Sequence, residues 1–191
     1  MTTKEKSQKK SQEQSQRESQ SRPGQEIEVL DLRSLKQDGA AAVLDQVARI
    51  ERRTFPPSEA MKLDLSLCKK PNSRLLYSSS SSSSSSSASA SAPTTVTGYV
   101  MYVRMREKAL LHKLCVEAGH RGQGIGGRLL AAVEEQLALE GCQTVHLWVD
   151  AGRTAARALY RRRGFEETRT VEDYYGPGRT GINMVLTLPG N

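Results

Sequence analysis

The sequence predicts a single α/β domain built on a mixed sheet. Short apolar runs read as strands both before and after the helical segments. Two of these runs meet across a tight polar turn, Arg106-Glu107-Lys108, as an antiparallel hairpin, and a strand-helix-strand unit that sets two strands parallel follows it. The order along the chain is β-α-α-β-β-β-α-β-α-β-β, an antiparallel front with a βαβ centre.

Each element has a local cause. Residues 28–32 read as a short strand. Asp38 is placed to cap a helix whose apolar positions, Val43, Val47 and Ile50, recur at helical spacing, and Ser58, after the Pro56-Pro57 break, is placed to cap a second. Strands over 74–77, 95–105 and 109–116 come next, the last two joined by the hairpin turn. Ile125, Leu129, Val133 and Leu137 then recur every four residues, with Gly141 as the stop of that helix. The chain closes with a strand over 144–149, a helix over 154–163 ended by Gly164, a strand from Phe165 towards Tyr174, and a last strand over 182–188. About four helices are expected to flank the sheet.

Low-complexity stretches bound this domain. Residues 1–26 are Lys, Gln, Ser and Glu with no aliphatic side chain after Met1, a composition that cannot offset its ordering entropy, so a disordered tail is expected there. Glu5, Glu13 and Glu18 are acids that a transit peptide avoids. A Ser/Ala tract over 78–94 reads as a disordered loop inserted within the domain 27–188, and residues 189–191 as a tail.

Of 191 residues, 28 are Lys or Arg against 21 Asp or Glu, a net +7, and the remaining segments suffice for one core rather than several. No run approaches the roughly 18–20 apolar residues of a membrane span, and the N-terminus lacks a secretory apolar segment, so no membrane partner is expected. Cys68, Cys115 and Cys142 form no CxxC pair and are odd in number, which fits a reducing compartment; the expected location is the cytoplasm, with the nucleus open. His112, His120 and His146 share no ligand spacing with these cysteines, so no metal is expected.

The densest signal is Arg121-Gly122-Gln123-Gly124-Ile125-Gly126-Gly127-Arg128, set between a strand and a helix. Glycines there let backbone N–H groups approach a phosphate, and the helix start adds free donors and a positive dipole end. A P-loop is excluded, because Gly127 is followed by Arg128-Leu129 and not Lys-Ser/Thr. Gly122, Gly124 and Gly127 do fit the dinucleotide GxGxxG spacing, with Asp150 ending the next strand, but too little chain follows Asp150 to complete a doubly wound sheet.

The run 121–126 resembles the Arg/Gln-x-x-Gly-x-Gly/Ala signature of the GNAT acetyltransferases. The segment from Ala155-Ala156 through Ala158-Leu159-Tyr160 to Gly164-Phe165 is similar to that family's A-x-x-L-Y-x-x-x-G-F element. The resemblance implies a seven-stranded mixed sheet splayed at its centre with acetyl-CoA, as cosubstrate, wedged in the splay. Thr54-Phe55-Pro56-Pro57-Ser58 and Asp173-Tyr174-Tyr175-Gly176 further resemble segments around the peptide groove of protein N-terminal acetyltransferases, including the ribosomal-protein alanine acetyltransferases.

Acetyl transfer from a thioester needs a neutral amine, a polarised carbonyl and a proton for the departing sulfur. The resemblance implies that the Leu114-Cys115-Val116 backbone pairs with the pantetheine, and that Arg121, Gly122, Gln123, Gly124, Ile125, Gly126 and Gly127 hold the pyrophosphate. Arg153 and Ala156 join the coenzyme site, Tyr160 is the acid at the sulfur, and Phe55, Pro56, Tyr174 and Tyr175 bind substrate. The family's Glu or His on the preceding strand aligns with Trp148, whose indole accepts no proton. His146, on the same strand face, and Glu51, on the first helix, are therefore the candidate bases beside a water chain.

The leading function is an acetyl-CoA-dependent N-acetyltransferase acting on a protein or peptide amine, foremost an N-terminal α-amine, with ribosome association as a possible context. Acetylation of a polyamine or arylalkylamine is the alternative within the fold. The net +7 raises a non-catalytic RNA or ribosome binder, but with no nucleic-acid motif and few aromatics, sequence-specific nucleic-acid binding is not expected.

Overall fold

The computed structural model describes residues 27–61, 63–80 and 95–189. Seven strands form one sheet: β1 (Ile27–Asp31), β2 (Ser73–Ser80), β3 (Thr95–Met105), β4 (Lys108–Val116), β5 (Thr144–Asp150), β6 (Glu166–Val171) and β7 (Gly181–Thr187). They lie in the order β1-β2-β3-β4-β5-β7-β6, and every neighbouring pair is antiparallel except β4 and β5. The mixed α/β expectation with seven strands is borne out.

Three helices cover the sheet: α1 (Gln37–Thr54), α2 (Ile125–Leu139) and α3 (Thr154–Arg162). Helix α1 buries Val43, Val47 and Ile50 against Leu75, Tyr99 and Met101 on one face. Helix α2 buries Ile125, Leu129, Val133 and Leu137 on the other face, among Val100, Leu111, Leu147 and Met184, and α3 adds Tyr160 there. Each helix thus uses the apolar stripe that its spacing encodes, and the sheet is covered on both sides.

The central parallel pair is the feature that makes a site. Its register runs from Lys108↔Thr144 to Leu111↔Leu147 and stops. Beyond that point β4 continues to Val116 alongside β3, and β5 continues to Asp150 alongside β7. The facing edges of 112–116 and 148–150 therefore diverge. The divergence coincides with a β-bulge: Tyr102 opposes Leu111 and Met101 opposes Lys113, which leaves His112 as the extra residue. A bulge bends its strand and sharpens the local twist, so the strand turns away from its parallel neighbour at this residue.

Several expectations are corrected. Ser58 caps no helix: Pro57–Glu59 is a 3₁₀ turn, and Ser66–Lys69 is a single helical turn, so three full helices rather than about four flank the sheet among the described residues. The Pro56-Pro57 pair interrupts the backbone, and no apolar stripe follows to reward a longer helix. Helix α1 is capped at Lys36 without a side-chain bond, and Asp38 lies in its first turn, where a negative charge suits the helix dipole. The loop does not begin at Ser78. Strand β2 runs to Ser80, and Ser78 is fully buried because its hydroxyl meets Thr97 Oγ1 at 2.9 Å across the ladder. The tail 1–26, the tract over 81–94 and residues 190–191 lie outside the described residues.

Candidate active site

Two adjoining concavities occupy the divergence. The larger, about 710 Å³, lies between the end of β4, the glycine turn and the start of α3. The turn is shaped by two left-handed residues, Gly122 and Gly124, each at φ 78°, and Gly124 is also the N-cap of α2. A Cβ added at Gly122, Gly124 or Gly127 would meet nothing within 4 Å, so the turn and helix start line the cavity with backbone that no side chain crowds. That bare backbone beside a helix N-terminus fits a pyrophosphate. Gly126 differs: a Cβ there would lie 3.0 Å from Leu159 Cδ2, so its lack of a side chain lets α2 approach α3.

The neighbouring residues divide by role. Leu114, Cys115 and Val116 line this cavity with a strand edge that pairs with β3 on one side and with no strand on the other. The Cys115 thiol is buried, sits 3.6 Å from Thr54 Oγ1, and burial pushes its pKa up, so it packs as a small apolar group. Arg121 donates from Nε to Val116 O at 3.1 Å, which lays its guanidinium along the cavity mouth. Ile125 and Ala156 are on the wall; Gln123 is not, and its amide bonds Gly119 O at 3.4 Å.

The smaller concavity, about 240 Å³, opens on the other side of the gap and shares Phe55, Leu114, Arg153 and Ala156 with the first. Phe55 carries Lys113 Nζ 3.5 Å from its ring centre and Arg153 at 4.8 Å. Tyr175 lines the wall, its hydroxyl pKa pushed up to about 12 by burial and by Tyr174. Tyr174 stacks on Trp148 at 4.3 Å and stays 45% exposed, outside the lining. Pro56 lies before the 3₁₀ turn and is likewise outside it.

A carboxylate–guanidinium chain closes one end. Arg179 Nη1 donates to Glu59 Oε1 at 2.6 Å, and Arg179 Nη2 lies 2.6 Å from Asp150 Oδ2; Arg153 Nη2 reaches Glu59 Oε2 at 3.4 Å. Burial raises the Asp150 pKa, but the Gly152 N–H and Arg179 outweigh it and hold the carboxyl below its ordinary range. Glu59, Asp150 and Arg179 carry no local motif. Glu59 and Arg179 are 120 residues apart, and only the fold joins them.

The candidate proton-transfer residues fall in different places. Tyr160 lines the smaller cavity from α3 with its ring tilted against Phe165 at 5.6 Å, and burial raises its phenol pKa. A phenol kept protonated there can donate to a leaving group. Glu51 is not brought to the cavity. It is 2% exposed, accepts a hydrogen bond from Tyr99 on one oxygen and lies 3.5 Å from Lys113 Nζ on the other, so both oxygens are engaged. His146 sits opposite Leu110 within the paired part of β4 and β5, bonded to Thr144 Oγ1 at 3.2 Å and outside the lining. The structure instead puts His112 on the cavity wall. Its only signal in the sequence was its place in the strand that ends at the glycine turn. Among the described residues no group of three or more His, Cys, Asp or Glu could hold a metal, and no helix is long and apolar enough to cross a membrane.

With this geometry the comparisons are unambiguous about family. The profile described as Acetyltransferase (GNAT) family matches residues 44–165, and the chain belongs to that family. The ribosomal protein bS18-alanine N-acetyltransferase of Escherichia coli K12 is 35% identical over 85 residues, 44% of this chain and 57% of that protein. The N-alpha-acetyltransferase MAK3 of Arabidopsis thaliana is 28% identical over 86 residues, 45% of each. The matched stretch thus spans little more than half, or less, of these relatives' length. In three dimensions the chain is similar to Arabidopsis thaliana NAA60 in complex with acetyl-CoA, with TM-score 0.63 and 17% identity over 86% of this chain and 99% of that one, a likeness of fold.

Proposed function

We propose that the protein is an acetyl-CoA-dependent N-acetyltransferase that acylates a protein amine, an N-terminal α-amine, by direct attack within a ternary complex. The observation that carries this reading is the gap between β4 and β5. On one side it has an open glycine cradle at a helix N-terminus, and on the other a cavity with Tyr160 in its wall. Bound in that gap, acetyl-CoA supplies an activated acyl carbon and a thiolate leaving group. The free β4 edge at 114–116 orients the pantetheine arm, the 122–127 backbone and Arg121 hold the diphosphate, and Tyr160 delivers a proton where the sulfur departs.

Two features favour a peptide acceptor over a polyamine. The acceptor-side cavity is walled by Phe55, Trp148 and Tyr175, and its two carboxylates, Glu59 and Asp150, are already paired with Arg179 and Arg153. A polycation would find little unneutralised charge there, whereas a peptide backbone finds flat aromatic surface. The relatives named for acetylating ribosomal protein bS18 and for N-alpha-acetylation support the same choice. Work in the cytoplasm beside the ribosome is part of the proposal and follows from that acceptor.

The test is thiol release from acetyl-CoA against a panel of N-terminal peptides, lysine peptides and small amines, with Tyr160→Phe as the control. Peptide-dependent release that drops by about 10²-fold or more in the variant, with acetyl-CoA affinity retained, is expected. Release with polyamines alone would move the function to small amines, and no acetyl-CoA binding would overturn the reading.

A further inference from the structure

The acceptor arrives as an ammonium and must lose a proton before it can attack, and neither base suggested by the sequence lines the cavity. Resting on the acetyltransferase reading above, we infer that His112, the bulged residue at which β4 leaves β5, is the general base that deprotonates the acceptor amine.

Four observations carry it. First, the bulge is where pairing between β4 and β5 ends, so this side chain stands at the apex of the gap that the reacting groups share. Second, His112 and Tyr160 line one cavity, which places a proton acceptor and a proton donor around the same space. Third, among the described residues no hydrogen bond or ion pair holds the imidazole, whereas the carboxylates around it are occupied: Glu51 by Tyr99 and Lys113, Glu59 and Asp150 by the arginines. Fourth, His112 keeps an exposed face, so a proton taken from the cavity can pass to water.

The charge setting agrees. Lys113 beside it is tied to Glu51 and to Glu59 O, Arg153 and Glu59 lie across the cavity, and Tyr160 and Tyr175 supply protonated phenols. Burial lowers the imidazole pKa, so the ring is in its neutral, proton-accepting form at pH 7.

The step balances as follows. An unprotonated ring nitrogen of His112 takes one proton from R–NH₃⁺ and passes it to solvent. The amine lone pair closes on the acyl carbon, the N–C bond forms and the C–S bond breaks. Tyr160 gives its phenol proton to the sulfur, and the second proton lost by the nitrogen restores the phenol. Ammonium and thioester become amide, thiol and one released proton.

The experiment follows kcat/KM against pH by thiol release, using acetyl-CoA and the best peptide of the panel, for the wild type, His112→Gln, His146→Gln, and His112→Gly with and without added imidazole. Because the base works only when neutral, wild-type kcat/KM should fall on acidification below the ordinary histidine pKa of about 6.5. His112→Gln should lower kcat/KM by about 10²-fold at pH 7.5, remove that acidic limb and leave acetyl-CoA affinity in place, and imidazole should restore His112→Gly. The inference is overturned if His112→Gln stays within about threefold of wild type with the same limb, or if His146→Gln removes the limb instead. A wild type that binds acetyl-CoA yet acetylates no amine would overturn the acetyltransferase reading and this base together, an outcome distinct from both.

Discussion

A Cβ built on Gly181 would lie 2.7 Å from both Cβ and Cγ of Tyr174, closer than packed atoms allow. Gly181 opens β7 and lets Tyr174 lie flat on Trp148. Gly181→Ala should therefore push Tyr174 off the indole, costing about 1 kcal/mol in urea unfolding and raising KM for the peptide more than it lowers kcat. Trp148 is the chain's single tryptophan, so a change in its fluorescence reads the lost stack directly. The sequence marked Tyr174 as a substrate-binding residue through its resemblance to a peptide-groove segment, and dismissed Trp148 as a base on the chemistry of indole. It could not show that the two rings stack, because a loop and a strand register bring them together. Tyr160 and the bare glycines were legible, since each is read from a short window.

At the scale of elements, α1 is joined to the sheet by charge as well as by its apolar stripe. Glu51 accepts from Tyr99 of β3 and pairs with Lys113 of β4, and burial together with the Glu51 bond raises the Tyr99 pKa. Removing one member of a buried pair strands the other. Glu51→Ala should cost about 3 kcal/mol and lower Tm by roughly 6–12 °C in calorimetry, and the milder Glu51→Gln should cost less because the amide still accepts from Tyr99. A glutamate among arginines in the last turn of a helix reads as a solvated residue or as a base, and burial is decided by what packs over it. The helix expected after Ser58 failed for a related reason. A cap starts a helix, but only a stripe with something to cover sustains it, and Glu59 is instead drawn across to Arg153 and Arg179.

For the molecule as a whole, the connection between β2 and β3 leaves the sheet and rejoins it at one place. Ser80 and Thr95 are ladder partners, so the fourteen intervening residues start and end side by side. Shortening them to four Gly/Ser residues should raise stability by about 1 kcal/mol through a smaller loop-closure cost, seen as a higher urea midpoint, and leave thiol release unchanged.

Strand and helix periods, the hairpin, the glycine turn and the tyrosine of α3 were all readable along the chain, because each expresses backbone freedom or apolar spacing within a dozen residues. The extent of β4–β5 pairing, the burial of Glu51 and Ser78, the Glu59–Arg179–Asp150 chain and the place of His112 at the gap were settled by tertiary structure alone. Those depend on contacts between segments tens of residues apart, and a local pattern carries no information about which distant group will complete a hydrogen bond or exclude water from a charge.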